Sequence, residues 1–214
     1  MIRVVTIERE YGSGAPSISH AIADELGWKL WDREITAEVA RRMKCSHASV
    51  ERVEERPDPM FQRLSRIFMR GSFEATAGEA QPDVLNAESL VTLYGRIVTD
   101  LVAQGNCVIV GRGSPWLLRD RDDVFRVFLY AGRDEKVRRT MASGQSRADA
   151  EHLVDTVDPE RAAFVRQYFN SDWPSRHLYH LMVNTEMGDA IAVKTILDGM
   201  ELLNIVDTAR RRTA

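Results

Sequence analysis

Val4-Val5-Thr6-Ile7-Glu8-Arg9-Glu10-Tyr11-Gly12-Ser13-Gly14 decides how this chain is read. The β-branched run Val4 to Ile7 predicts a first strand, and Tyr11 to Gly14 predicts a glycine turn. After the turn, Ile18, Ala21, Ile22 and Leu26 fall at helical spacing, and Gly27 is a natural stop. Trp28-Lys29-Leu30-Trp31, closed by Asp32, then suits a second strand. Strand, glycine turn, helix, strand is the βαβ unit of a parallel sheet.

The same pattern continues along the chain. Helices are predicted over Ile35 to Lys44, around Phe61 to Phe68, and from Ala87 to Gln104. Glu51 to Pro59 reads as a charged connection, and Ser72 to Asn86, rich in small and polar residues, as a mobile loop. Cys107-Val108-Ile109-Val110 has the unbroken apolar character of a buried strand and ends at Gly111-Arg112-Gly113. Val124 to Tyr130 predicts the next strand and Asp134 to Met141 the next helix. Ser146 to Asp149 has capping-box spacing, with Asp in place of Glu or Gln, and opens a charged helix to Phe169 that contains Pro159. Tyr179 to Val183 is expected to form a last strand, and Ala190 to Ala209 a closing helix. The expected architecture is α/β: a five-stranded parallel sheet with helices on both faces.

Composition narrows the function classes. The 214 residues are 44% apolar and 29% charged, which suits one globular domain and excludes a disordered, collagenous or disulfide-built chain. There is no apolar run near the ~20 residues of a membrane span. The first residues are too short and too β-branched a run for a secretory signal. With 29 basic against 32 acidic residues the net charge is −3, so no overall basic excess points to nucleic acid; Arg210-Arg211-Arg212 reads as a solvated helix end. Cys45 and Cys107 are far apart and form no metal-ligand pattern, which predicts a reduced, cytoplasmic setting with Cys107 packed in the core.

A glycine turn between a strand and a helix N-terminus is a natural phosphate cradle, because unpaired N–H groups and the positive helix end converge there. A plain tight turn is the alternative. Ser13 and Ser17 add hydroxyls to it. The sequence does not satisfy Gly-x-x-x-x-Gly-Lys-[Ser/Thr]: with Gly12 and Gly14 as the later glycines, Ala15 stands at the lysine position, and Pro16, which lacks an N–H, is a good first helical residue.

Arg9-Glu10-Tyr11-Gly12-Ser13-Gly14, Leu30-Trp31-Asp32-Arg33-Glu34 and Val108-Ile109-Val110-Gly111-Arg112-Gly113 together resemble the cytidylate kinase-like family, within the P-loop nucleoside monophosphate kinase superfamily. The similarity continues through Arg126 to Ala131, Asp158-Pro159-Glu160-Arg161, Asp172-Trp173 and Tyr179 to Thr185, so it spans nearly the whole chain. The resemblance implies a three-layer P-loop NTPase fold in one domain, with a helical monophosphate-binding region over residues 36–104 and a lid over 133–172. It implies phosphoryl transfer from ATP, with Mg²⁺, to CMP or dCMP, and small-molecule nucleotides as partners, with neither nucleic acid nor membrane.

Carried over by position, Gly12, Ser13, Gly14 and Ser17 would line the ATP phosphates, and Asp32 and Arg112 would face the acceptor. Arg138 and Arg161 would come from the lid side. Such roles suit arginine, whose planar fork matches phosphate oxygens in a reaction that asks mainly for alignment and positive charge. Each has a plainer alternative: an ion pair for Arg112, a solvated face for Arg138 and Arg161, a helix cap for Asp32. Arg9, at the loop's start, is the candidate to replace the missing lysine, or else it pairs with Glu10 or Glu34. No metal ligand is assigned; Glu8, Glu10 and Asp32 are candidates, since Val110 stands where related kinases carry an acidic residue. The departures at Ala15, Pro16 and Val110 keep a second function open, a catalytically impaired nucleotide-binding or regulatory protein with the kinase fold. A kinase for another small acceptor is a third.

Overall fold

A computed structural model describes residues 1–32, 87–111 and 113–213. The elements expected between Ile35 and Asn86, the Cys45 position and Arg112 lie outside the described residues, as do the side chains of Arg210 to Arg212. In chain order the elements are β1 (Val4–Arg9), α1 (Ala15–Leu26), β2 (Lys29–Trp31), α2 (Ala87–Gln104), β3 (Cys107–Val110) and α3 (Ser114–Leu117). They continue with β4 (Val124–Tyr130), α4 (Arg133–Ala142), α5 (Arg147–Phe169), β5 (Leu181–Asn184), a 3-10 turn (Thr185–Met187) and α6 (Asp189–Thr213).

The five strands form one parallel sheet in the order β2-β3-β1-β4-β5. β1 is central, which is why all six of its residues are buried, including Glu8 and Arg9. Alternation across the strands splits the apolar side chains between two faces. Val5, Ile7, Val127 and Leu129 pack with Ile18 and Ile22 of α1 and Ile196 of α6. Val4, Ile109 and Val124 pack with Tyr94, Ile97, Val98 and Leu101 of α2. Helices therefore cover both faces, as the sequence pattern predicts.

Register places the functional end. Ile7 pairs with Val110 and Arg9 with Leu129, so β1, β3 and β4 finish close together. The Gly111 N–H donates to Ile7 O at 2.9 Å and the Glu10 N–H to Leu129 O at 2.9 Å. Both glycine turns thus leave the C-terminal edge of the sheet side by side, where open α/β sheets bind ligands. Trp31 pairs with Ile109, which puts Asp32 at the same edge, two strands from β1.

Three elements depart from the sequence-based expectation. The single-turn helix α3 was not expected. The last strand begins at Leu181, because Tyr179 turns instead into an aromatic cluster with Phe128 and Trp116. Gly14 is the left-handed N-cap of α1 (φ 81°), which makes Pro16 its second helical residue, one later than expected.

Candidate phosphate-transfer site

The loop after β1 is held in shape by its own atoms and by α4. Gly12 and Gly14 both have positive φ, 74° and 81°, which glycine adopts without strain. A Cβ on Gly12 would lie 2.8 Å from Lys136 O and 3.0 Å from Thr140 Oγ1, so glycine is what lets α4 cross the loop. A Cβ on Gly14 would strike the guanidinium of Arg139. Ser13 Oγ donates to Glu10 O at 2.8 Å, and Ser13 O accepts from Thr185 Oγ1 at 2.8 Å. Ser17 Oγ lies within hydrogen-bonding reach of Gly14 O, at 2.9 Å, and of Asp189 Oδ2.

Around this loop the fold gathers basic side chains from two helices. Lys136 Nζ donates to Glu10 Oε2 at 3.0 Å and to Asp158 Oδ2 at 3.1 Å. Asp158 Oδ1 accepts from the Tyr11 N–H at 2.8 Å and from Arg161 Nη1 at 3.2 Å. Arg161 Nη1 also reaches Arg9 O at 2.9 Å. These groups are nearly enclosed, with side-chain exposures of 11% for Lys136, 13% for Asp158 and 10% for Arg161. Burial works to lower the Lys136 pKa, but the Asp158 charge and the bonds to Glu10 and Asp158 outweigh it and hold the ammonium above its ordinary range.

Of the adjacent arginines, Arg139 faces the loop. Its Nη1 donates to Asp189 Oδ1 at 2.8 Å, its Nε to Glu135 Oε1 at 2.6 Å and its Nη2 to Thr185 O at 3.0 Å. Arg138 points outward, 68% exposed, and pairs with Glu135. Hydrogen bonds from Arg138 and Arg139 hold the Glu135 carboxyl down to about 2.

Arg9 is buried and runs to the second glycine turn. Its Nη1 is 3.3 Å from Glu8 Oε1, and its guanidinium lies where a Cβ on Gly111 would stand. Its ion pair is therefore with Glu8, rather than with Glu10. The Phe169 ring fills the corresponding space at Gly113, and Trp116 stacks on that ring at 5.5 Å. The structure thus brings Arg9, Arg161, Gly12, Ser13, Gly14 and Ser17 to one edge of the sheet, with Asp32 farther along it. Arg138 lies on the outer face of α4.

The chain belongs to the cytidylate kinase-like family. That family matches residues 4–187, the greater part of the chain. A cytidylate kinase from Pseudomonas putida is 25% identical over 183 residues, which cover 76% of this chain and 78% of the relative. Among solved structures, an uncharacterized protein from Eubacterium ventriosum aligns with a TM-score of 0.59 at 17% identity, covering 94% of this chain and 99% of its own. Shikimate kinase from Bacteroides thetaiotaomicron aligns at 0.50 and 14% identity, covering 97% and 99% of the two chains. These likenesses establish the P-loop kinase fold.

Sequence reasoning singled out neither Lys136, Arg139 nor Asp189, and it quoted Asp158 without giving it a role. One signal was present: Lys136 and Thr140 are four residues apart around Val137, in the inward phase of α4. Another was the matched spacing of Arg133 and Lys136 against Asp155 and Asp158. Among the described residues, no group of three or more His, Cys, Asp or Glu could hold a metal ion. No helix among them is long and apolar enough to cross a membrane.

Proposed function

We propose that this cytidylate kinase-like protein transfers a phosphoryl group from ATP to a pyrimidine nucleoside monophosphate, CMP or dCMP. The observation that carries the reading is the convergence of Lys136, Arg139 and Arg161 on the glycine loop at the C-terminal edge of β1. Phosphoryl transfer needs little covalent help from the protein and much positive charge around a spreading negative one. Three cations arriving from α4 and α5 suit that need in a chain whose loop has Ala15 at the lysine position.

In this reading Gly12, Ser13, Gly14 and Ser17 line the donor phosphates. The positive φ values of the two glycines and the first turn of α1 fit an anion there. Arg161, held on the backbone of Arg9, stands beside the transferred group. Arg9 supports the Gly111-Arg112-Gly113 turn, from which Arg112, with Asp32, would address the acceptor. Arg138 would contribute only after release from Glu135, and Arg139 is the better placed of the two. Residues 36–104 would form the acceptor side and 133–172 the lid. ATP would bring Mg²⁺ as its counter-ion.

A second reading is favoured by a specific observation: every one of these loop-facing cations already has a carboxylate partner. With Ala15, Pro16 and Val110, that pairing suits a nucleotide-binding or regulatory protein with little turnover. ADP formation with ATP and Mg²⁺ across CMP, dCMP, UMP, AMP and GMP separates the two. Turnover with CMP or dCMP is expected; nucleotide binding by calorimetry without turnover would favour the second reading.

A further inference from the structure

Asp158 places a carboxylate against the glycine loop. Three donors converge on its carboxylate: the Tyr11 N–H at 2.8 Å, Lys136 Nζ at 3.1 Å and Arg161 Nη1 at 3.2 Å. One is a backbone N–H at the start of the glycine loop, one comes from α4 and one from α5. A backbone N–H with an ammonium and a guanidinium is the donor set that a phosphate oxygen accepts from. The carboxylate has the same acceptor chemistry and is held with little solvent around it, where charge-assisted bonds count most.

Asp158 also helps to hold α5, together with the buried Ala150, Val154 and Val157 of that helix. Its bond to Tyr11 and the Arg161 bond to Arg9 O tie α5 to the end of β1. An ion pair one turn earlier, Arg133 to Asp155, ties α5 to α4 as well, but its side chains are 50% and 52% exposed. The Asp158 tie runs through the loop itself, beside the packing of Tyr11 against Val154 and Val157 of α5.

We propose that Tyr11, Lys136 and Arg161 form an oxyanion site, that the Asp158 carboxylate fills it when α5 is docked, and that a phosphoryl group of the nucleotide takes the carboxylate's place. Nucleotide binding and the docking of α5 then compete for one set of donors. Asp158 is a positioning residue in this scheme: it keeps Lys136 and Arg161 aimed at the loop until the ligand arrives. The proposal rests on the reading of the loop as phosphate-binding, but it does not require turnover.

The test uses the full chain, wild type and Asp158→Asn, titrated with inorganic pyrophosphate by calorimetry and followed by amide hydrogen exchange over residues 147–169. The asparagine keeps the shape and an acceptor for Tyr11, and removes the competing charge. Pyrophosphate affinity is expected to rise roughly 10-fold or more in the variant, the worth of one charge-assisted contact. In the wild type, pyrophosphate is expected to speed exchange in α5. Asp155→Asn, on the same helix, should leave affinity unchanged. Equal or weaker binding by Asp158→Asn, pyrophosphate protection of α5 in the wild type, or no pyrophosphate binding by either protein would each overturn the proposal. If Asp158→Asn does not fold, Lys136→Gln replaces it: a roughly 10-fold loss of affinity is expected, and unchanged affinity would overturn the site. Turnover with CMP alongside unchanged affinity in Asp158→Asn would sink this inference and leave the kinase reading standing; increased affinity without turnover would do the reverse.

Discussion

The two glycine turns at the edge of the sheet share a backbone and differ in their neighbours. After β1, Gly12 and Gly14 have φ of 74° and 81°; after β3, Gly111 and Gly113 have 65° and 69°. Each turn ends in a left-handed glycine N-cap with no side-chain cap bond, and each is followed by a helix with an early proline, Pro16 in α1 and Pro115 in α3. The first turn opens a helix of 12 residues and is ringed by Lys136, Arg139, Asp158 and Asp189. The second opens a helix of 4 residues and is packed against Arg9 and the Phe169 ring. A Gly-x-Gly sequence thus fixes a turn; the neighbours brought to it from distant segments differ, charged side chains at the first and the Arg9 guanidinium and an aromatic ring at the second, and on that difference rests the proposal that the first turn holds the donor phosphates.

The sharpest way to break this contrast is to remove a charge from the first turn. Lys136→Met leaves Glu10 and Asp158 without their shared cation, and the cost of half-breaking a buried pair is about 3–5 kcal/mol. Chemical denaturation of this variant should show that loss, whereas Asp155→Asn, which breaks the exposed pair with Arg133, should shift the unfolding midpoint far less. Equal losses would mean that the loop network carries no special weight.

The backbones themselves come next. Gly12→Ala forces a Cβ against Lys136 O at a positive φ, and it should cost roughly 2–4 kcal/mol from left-handed strain and overpacking together. Gly113→Ala meets the Phe169 side chain, which has torsions of its own, so it should cost less, about 1–3 kcal/mol. Thermal unfolding of the two variants would rank them, and a larger loss at Gly113 would invert the account.

Acid should act on the first turn through Glu135. Its folded pKa lies below the ordinary value of 4.5, at about 2, so its contribution is present above pH 4.5 and is lost as pH falls toward 2. Thermal midpoints taken down that range should decline, and Glu135→Gln should flatten the decline. The smallest effect belongs to Arg138→Ala: with a side chain 68% exposed, the variant should unfold at nearly the wild-type midpoint.

How much of this was legible in the sequence follows from the same physics. β3, β4 and α2 could be placed from apolar runs and periodicity because each buries a face or two along its whole length. The single turn α3 is too short to show a period. The glycine positions and Arg161 were legible because turns and motifs are local. Lys136, Arg139 and Asp189 were not: they lie more than 120 positions from the loop, and nothing local distinguishes Arg139 from Arg138. Only the fold shows that one faces Asp189 and the other Glu135.

The most direct test of phosphoryl transfer at this loop is steady-state ADP formation with ATP, Mg²⁺ and CMP, comparing wild type with Arg161→Ala and Arg138→Ala. Loss of a donor aimed at the developing charge predicts a fall in kcat/KM of ~100- to 1,000-fold for Arg161→Ala and little change for Arg138→Ala. Equal effects of the two substitutions, or no CMP-dependent ADP in the wild type, would contradict the account.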